Sequence, residues 1–223
     1  MSTTKSKIKV ILVDDHILLR DALSNLINNF SGFQVIYRAD HGRQLVDHLT
    51  LSNSPIPDII LLDINMPQMD GFETAKWLQE NRPDIRIVVL TMYDSEIALI
   101  RFLQTGARGF LKKDIHPNEL QLALQTIYHE GYYYSHHTTG KLASHLAQGR
   151  DGRHSLDTLI FSDKELQFLR LACTDFAYKE IAAKMEMTPR NIDNYRDALF
   201  EKLGVKSRVG LAIYSVKNGI VAI

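Results

Sequence analysis

Short apolar runs alternate with amphipathic segments along the first 130 residues, and this alternation restricts the possible fold more than any other feature of the chain. The apolar runs predict strands at 8–13, 34–38, 58–62, 86–90 and 108–111. The other segments predict helices at about 16–30, 42–50, 72–80, 94–105 and 117–130. Strands and helices that alternate in this way form a parallel sheet with helices on both faces. We therefore expect an α/β doubly wound domain over residues 1–130, with five parallel strands.

Polar side chains stand at or just beyond the ends of four of these strands. Asp14 and Asp15 follow the first strand, Asp63 follows the third, Thr91 follows the fourth and Lys113 follows the fifth. Parallel strands present their carboxyl ends at one edge of the sheet, so these side chains are expected to share a pocket. An acid pair, an acceptor acid, a hydroxyl and an amine suit a divalent cation such as Mg²⁺ together with a phosphoryl group on Asp63.

A phosphohydrolase would be an alternative use of such a pocket. Phosphatases of the haloacid dehalogenase type also place a nucleophilic aspartate at a strand end, but they need a second aspartate two residues later as general acid. That position is Asn65 in this chain. A phosphoryl group on Asp63 is therefore expected to persist as a signal, and the chain is not expected to be an enzyme.

The pattern becomes entirely helical from Phe161 onward. Ser162 and Glu165 have the spacing of a capping box, and Thr188-Pro189 supplies a cap and a first-turn proline. These signals predict four short helices, the second and third joined by a tight turn, which describes a helix-turn-helix domain over residues 159–223. Residues 140–147 form a short amphipathic stretch, and residues 148–155 are polar and contain glycine. We therefore interpret residues 131–158 as a short helix and a flexible linker.

The composition and the length of the apolar runs bear on the partners and the compartment that the protein can have. The chain has 26 basic and 26 acidic residues, so its net charge gives no argument for nucleic acid or membrane as a partner. Cys173 is the only cysteine, which excludes a disulfide within the chain and favours the cytoplasm. The N-terminus lacks the apolar stretch of a signal peptide, and no run reaches the ~18–20 apolar residues of a membrane span.

Residues 8–130 resemble the receiver domain of two-component response regulators. The similarity rests on Asp14-Asp15, the stretch 62–71, Thr91 and the stretch 109–113. It implies a flavodoxin-like fold in which Asp63 accepts a phosphoryl group from a sensor histidine kinase. The Mg²⁺ ligands that it implies are Asp15, Asp63 and the carbonyl of Asn65, with Asp14 helping through a water molecule.

The same resemblance implies a conformational switch. Thr91 and Lys113 would bind the phosphoryl oxygens, and Phe110 would be the aromatic residue that moves inward as Thr91 moves. Phosphorylation adds roughly −1.5 to −2 charges and three acceptor oxygens, which gives Thr91 and Lys113 a reason to move toward Asp63. Simple core packing remains the alternative role for Phe110.

Residues 161–219 resemble the LuxR-type helix-turn-helix of NarL/FixJ-class regulators. The similarity rests on the stretches 161–165, 179–185 and 203–208. It implies a recognition helix from Thr188 to Leu203 that enters the major groove of DNA. The chain departs from the common pattern here, because Asp193 replaces a frequent lysine and Asp197 is also acidic.

The candidate DNA contacts share a basic or hydrogen-bonding side chain on or near this helix. They are Lys179, Lys184, Arg190, Asn191, Asn194, Tyr195, Arg196, Lys206 and Arg208. We expect a cytoplasmic transcription regulator, controlled by phosphorylation, that dimerises through helix 117–130 or through the fourth helix of the C-terminal domain and binds double-stranded DNA. The alternative is a phosphorelay or protein-interaction regulator whose helix-turn-helix does not bind DNA.

Overall fold

The computed structural model describes residues 7–92, 96–135, 161–218 and 220–221, which belong to two compact units. Within these residues the strands are β1 (Ile8–Val13), β2 (Phe33–Ala39), β3 (Ile59–Asp63), β4 (Arg86–Thr91), β5 (Gly109–Lys112) and β6 (Tyr133–Tyr134). The helices before residue 135 are α1 (Ile17–Asn29), α2 (Gly42–Thr50), α3 (Gly71–Asn81), α4 (Glu96–Gln104) and α5 (Pro117–Glu130). Those from residue 161 onward, in the second unit, are α6 (Asp163–Ala172), α7 (Tyr178–Lys184), α8 (Pro189–Leu203) and α9 (Arg208–Lys217).

All strands of the sheet are parallel, in the order β2-β1-β3-β4-β5-β6. This confirms the predicted α/β doubly wound, flavodoxin-like architecture. The strand order reverses between β1 and β3, whose ends lie side by side with Val13 opposite Leu62. In open α/β sheets, ligands bind outside the carboxyl ends of the strands at such a reversal. The fold therefore places the candidate pocket at this edge.

The central strands are covered on both faces. Every residue of β3 is buried, which explains why the sequence from Ile59 to Asp63 lacks alternation. Leu120, Leu124 and Ile127 of α5 pack on one face of the sheet in a cluster with Val10. Each such aliphatic side chain stabilises the fold by roughly 1.5–3 kcal/mol when fully buried.

The sheet contains a sixth strand that the sequence did not indicate. Tyr133 and Tyr134 pair with Gly109 and Phe110 of β5, inside the segment interpreted as linker. Gly131 makes this possible, because its φ of 95° ends α5 with a left-handed turn that sends the chain back along β5. The Tyr134 hydroxyl then donates a hydrogen bond of 2.8 Å to the carbonyl of Ala107.

The second unit has the predicted four-helix pattern. Ser162 and Glu165 form the expected capping box, and Thr188 caps α8 by accepting a hydrogen bond from the amide of Asn191. Gly204 ends α8 at a φ of 65°. The core that joins the helices consists mainly of Phe161, Leu166, Phe168, Leu169, Ala172, Ile181, Ala182, Met185, Ile192, Leu199, Leu211 and Ile220.

None of the helices in the described residues has the length and apolar character that a bilayer-spanning helix requires. The short helix and linker predicted after residue 135 lie outside the described residues.

Candidate functional site

A pocket lies at the carboxyl edge of the sheet. Asp14 directly follows β1, Asp63 and Thr91 are the last residues of β3 and β4, and Lys113 directly follows β5. The side chains of all four are buried. The Nζ atom of Lys113 lies 2.9 Å from Oδ2 of Asp14 and 2.9 Å from Oδ2 of Asp63. The amine of Lys113 is thus in direct contact with two carboxylates, and the three groups stand at the ends of three different strands.

Burial and the charge of Lys113 have opposite effects on the pKa of Asp63. Its burial raises the pKa of the carboxyl from 3.8 to about 6, while the charge of Lys113 lowers it and the charge of Asp14 raises it. Burial lowers the pKa of the Lys113 amine, but the two carboxylates outweigh this effect and raise that pKa above its ordinary value. At neutral pH the pocket therefore holds a protonated lysine beside a mostly ionised Asp63.

The loop after β3 closes tightly against the pocket. The amide of Ile64 donates a hydrogen bond of 2.8 Å to Oδ1 of Asp63. A Cβ atom on Gly71 would come within 2.3 Å of the carbonyl oxygen of Asp63. Only glycine fits at this position, because the backbone on both sides would otherwise have to shift. Asn65, the predicted carbonyl ligand, is half-buried in this loop.

Asp15 and His16 extend the acidic group toward solvent. His16 Nδ1 lies 2.9 Å from Oδ1 of Asp15 and 3.1 Å from Oδ1 of Asp14. One potential ligand atom from each of Asp14, Asp15, His16 and Asp63 falls within 4.8 Å of all the others. Carboxylate oxygens at this spacing suit a hard divalent cation.

Phe110 belongs to a row of aromatic rings beside the pocket. It is buried, and its ring centroid lies 6.4 Å from that of Phe102 in α4. Phe102 stacks on Phe72 of α3 at 4.0 Å, and the guanidinium of Arg101 lies 3.5 Å from the Phe72 ring centroid. Phe72 directly follows Gly71, so this row connects the β3 loop to β5.

The candidate DNA contacts fall into two groups. Six of them are exposed around α7 and α8: Lys179, Lys184, Arg190, Asn191, Asn194 and Lys206. Exposed basic and amide side chains of this kind can contact phosphates and base edges.

The other three candidates are half-buried, and each makes contacts within its own unit. The Tyr195 ring packs 6.0 Å from that of Phe168. Arg208 donates hydrogen bonds of 2.9 and 2.6 Å to the carbonyls of Ala172 and Thr174. Arg196 is bound by two carboxylates of its own helix. These three side chains support the helix-turn-helix fold in this structure.

Comparison with known families matches both units. Residues 10–125 match the response regulator receiver domain, and residues 159–215 match the bacterial regulatory proteins of the luxR family. The chain is a response regulator of the NarL/FixJ class.

The relatives of this response regulator match it over nearly the whole of both chains. The response regulator GacA of Pseudomonas aeruginosa is 31% identical over 214 residues, which cover 96% of this chain and 98% of GacA. The oxygen regulatory protein NreC of Staphylococcus carnosus is 28% identical, with 94% and 97% covered. RcsB of Salmonella enterica, solved on the rprA promoter with the phosphomimetic BeF3−, has a TM-score of 0.67 at 23% identity, with 94% and 98% covered. The RcsB likeness shows that the fold is shared.

Two residues near the pocket of the response regulator were not found by sequence reasoning. His16 could have been noticed because it directly follows Asp14-Asp15. Arg20 gave no signal, since it looks like an ordinary helix cation. It is buried, it forms an ion pair with Asp40, and its NH1 group donates hydrogen bonds to the carbonyls of Asp14 at 2.7 Å and Ala39 at 3.3 Å. Arg20 thereby fixes the loop that carries the acid pair.

Proposed function

We propose that this response regulator is switched by transfer of a phosphoryl group from a sensor histidine kinase to Asp63, and that it then binds double-stranded DNA as a homodimer. The proposed domains are the receiver at 1–130, a linker at 131–158 and the helix-turn-helix domain at 159–223. The observation that carries the proposal is the contact of Lys113 with two buried carboxylates, 2.9 Å from each. With one cysteine and therefore no internal disulfide, the chain suits the cytoplasm.

Asp63 is the nucleophile in this reaction. One of its carboxylate oxygens forms the new P–O bond, and the bond between phosphorus and the kinase histidine nitrogen breaks with its electron pair left on nitrogen. Asp63 must be ionised to attack, which its pKa of about 6 allows at neutral pH. The ammonium of Lys113 stands 2.9 Å from Asp63 and can stabilise negative charge on the transferred oxygens.

The acidic group fits a Mg²⁺ ion. The proposed ligands are Asp15, Asp63 and the backbone carbonyl of Asn65, with Asp14 acting through a water molecule, and all are oxygen donors of the kind that Mg²⁺ prefers. When bound, the ion neutralises the charge of the carboxylates and of the phosphoryl oxygens. Arg20 would hold the Asp14 carbonyl, and hence the acid pair, in place.

Phosphorylation changes the hydrogen-bonding needs of the pocket. Three new acceptor oxygens on Asp63 favour approach of the Thr91 hydroxyl and the Lys113 amine. Movement of Thr91 opens space beside β4, and Phe110 of the neighbouring strand can move into it. Because Phe110 packs with Phe102 of α4, this movement would alter the face formed by α4 and β5.

The phosphoacceptor is tested by acetyl-phosphate labelling in the presence of Mg²⁺. We expect Asp63→Asn to abolish labelling. Asp84→Asn is the matched control, because Asp84 is an exposed carboxylate that precedes β4 at the other edge of the sheet. Labelling that persists in Asp63→Asn would refute the assignment.

The acidic side chains on α8 favour a second candidate, in which the regulator acts through a protein partner without binding DNA. Asp193 and Asp197 are exposed on the predicted recognition helix and would repel phosphates. A gel shift with pooled random duplex DNA separates the two functions. Binding that strengthens with acetyl phosphate and Mg²⁺ supports the DNA-binding regulator, whereas no binding by the phosphorylated protein supports the protein partner.

A further inference from the structure

The predicted recognition helix carries an ion-paired group in the middle of its length. The NH1 group of Arg196 donates a hydrogen bond of 2.9 Å to Oδ1 of Asp193. Its Nε and NH2 atoms lie 2.9 and 2.8 Å from Oδ1 of Asp197. We call these three residues the Asp-Arg-Asp triad. Three of the five N–H donors of the guanidinium are engaged within the helix, so the two-pronged contact with guanine that arginine usually makes would compete with these ion pairs.

Aromatic rings hold Arg196 on its helix as well. Its guanidinium lies 5.3 Å from the ring centroid of Tyr178 and 6.0 Å from that of Phe200. The hydrogen bond to Asp197 raises the pKa of Arg196 above its ordinary value, so the guanidinium keeps its charge. Swinging Arg196 out toward DNA would break contacts with two carboxylates and two rings.

The two carboxylates remain open to a ligand. Their side chains are 54% exposed for Asp193 and 64% exposed for Asp197. A carboxylate offers about four lone-pair sites, and the contacts with Arg196 use only the Oδ1 atoms. Each aspartate can therefore accept a further hydrogen bond from outside the protein.

The base edges in the major groove differ in how they meet a carboxylate. Cytosine N4 and adenine N6 donate hydrogen bonds, whereas guanine O6 and N7 and thymine O4 only accept. A carboxylate cannot donate, so it favours a base with an exocyclic amine and repels guanine. Asp193 lies in the N-terminal half of α8, which is the part of a recognition helix that reaches base edges.

We propose that Asp193 is a specificity-determining residue that selects an exocyclic amine, cytosine N4 foremost, and that Arg196 is a positioning residue that orients its carboxylate and offsets its charge. The inference rests on the proposed DNA binding. The charge balance of α8 agrees with it, since Arg190, Arg196 and Lys202 are matched by Asp193, Asp197 and Glu201. A helix with no net charge gains little from phosphates, so base contacts must contribute more of its affinity for DNA.

The test selects binding sites from a randomised duplex pool with the full-length, phosphorylated protein. Wild type is expected to enrich cytosine at one position or more, and replacing such a cytosine should weaken binding by about 5- to 150-fold. Asp193→Ala should lose the preference at one of these positions and keep the others. Arg196→Ala should weaken the same preference, and Arg196→Lys should restore it in part. Glu201→Ala, an exposed acid two turns further along α8, is the matched control and should leave the profile unchanged.

Two results would overturn the inference while leaving DNA binding intact. One is an identical base profile for wild type and Asp193→Ala. The other is tighter binding of Asp193→Ala to every duplex with a steeper salt dependence, because the carboxylate would then only repel phosphates. Failure of phosphorylated wild type to enrich any sequence would instead overturn the proposed DNA binding, and this inference with it.

Discussion

Asp63 shows how a single buried charge links chemistry to stability. Its pKa is about 6 in the folded protein against an ordinary value of 3.8, with burial as the main cause. Between these two values the folded state binds more protons than the unfolded state. Lowering the pH from 7 toward 4 therefore stabilises the fold with respect to this group. The ionised form of Asp63, the proposed nucleophile, is kept at neutral pH at a cost in stability, which is at most about 3 kcal/mol from the size of the pKa difference.

Asp63→Asn is accordingly expected to be more stable than wild type at pH 7, by about 1–3 kcal/mol, because it removes the buried charge while Lys113 keeps Asp14 as a partner. The gain should shrink as the pH approaches 4, where wild-type Asp63 is protonated. Urea unfolding followed by the fluorescence of Trp77, the only tryptophan of the chain and a residue of α3, measures this directly. An Asn variant that is less stable than wild type at pH 7 would contradict the expectation.

Arg20 provides a second prediction for a single residue. Arg20→Leu removes the donor to the carbonyl of Asp14, at a cost of about 1–3 kcal/mol, whereas the carbonyl of Ala39 still accepts a hydrogen bond from the amide of Asp14. We expect a large loss of stability and weaker acetyl-phosphate labelling. Arg38→Leu is the matched control, since Arg38 forms an exposed ion pair with Asp21 that contributes at most about 1 kcal/mol. Equal effects of the two substitutions would refute a positioning role for Arg20.

These residues also show how much of the pocket could be predicted from sequence. Asp63 and Lys113 could be placed together because each follows an apolar run, and parallel strands end at one edge. Arg20 could not be found, because it binds main-chain carbonyls at the ends of β1 and β2. Every residue has a carbonyl, so the sequence does not show which of them will accept a hydrogen bond from a side chain.

At the level of elements, helices and strands with strong local signals were predicted to within one or two residues. The β6 strand was missed because two residues are too few to show a periodicity. Its pairing depends on Gly131 and on the exposed edge of β5, and the second of these is a tertiary feature. The helix-turn-helix pattern, in contrast, was signalled by caps at Ser162 and Thr188.

The turn between α7 and α8 contains a strained residue. Glu186 has a φ of 54°, a left-handed conformation that costs a non-glycine residue about 1–2 kcal/mol. Glu186→Gly is therefore expected to stabilise the C-terminal unit by roughly 0.5–1 kcal/mol, since part of the gain is offset by the greater freedom of glycine when unfolded. Glu201→Gly, in the exposed interior of α8, should instead destabilise by about 1 kcal/mol. Thermal unfolding of both variants checks this prediction. If the backbone at Glu186 is strained, the unfolding temperature should rise in Glu186→Gly and fall in Glu201→Gly.

At the level of the whole molecule, the question is which exposed apolar surface would form the proposed homodimer. Val209 and Ile213 lie one turn apart on α9 and are 67% and 52% exposed, whereas α5 exposes Leu122 at 53%. Two adjacent apolar side chains bury more surface than one, and α9 belongs to the unit that must reach paired half-sites. We therefore expect the DNA-bound dimer to form through α9.

Val209→Glu should then weaken binding to a duplex with paired half-sites by at least about tenfold, because it places a charge without a partner in an apolar contact. Binding of the same variant to a single half-site should change little. Leu122→Glu on α5 is the matched control and should leave both affinities near those of wild type. Gel shifts with the two duplexes, combined with sedimentation of the phosphorylated proteins, separate dimer formation from base contact. The opposite pattern, with Leu122→Glu defective and Val209→Glu unaffected, would place the dimer contact on the receiver domain and leave α9 without that role.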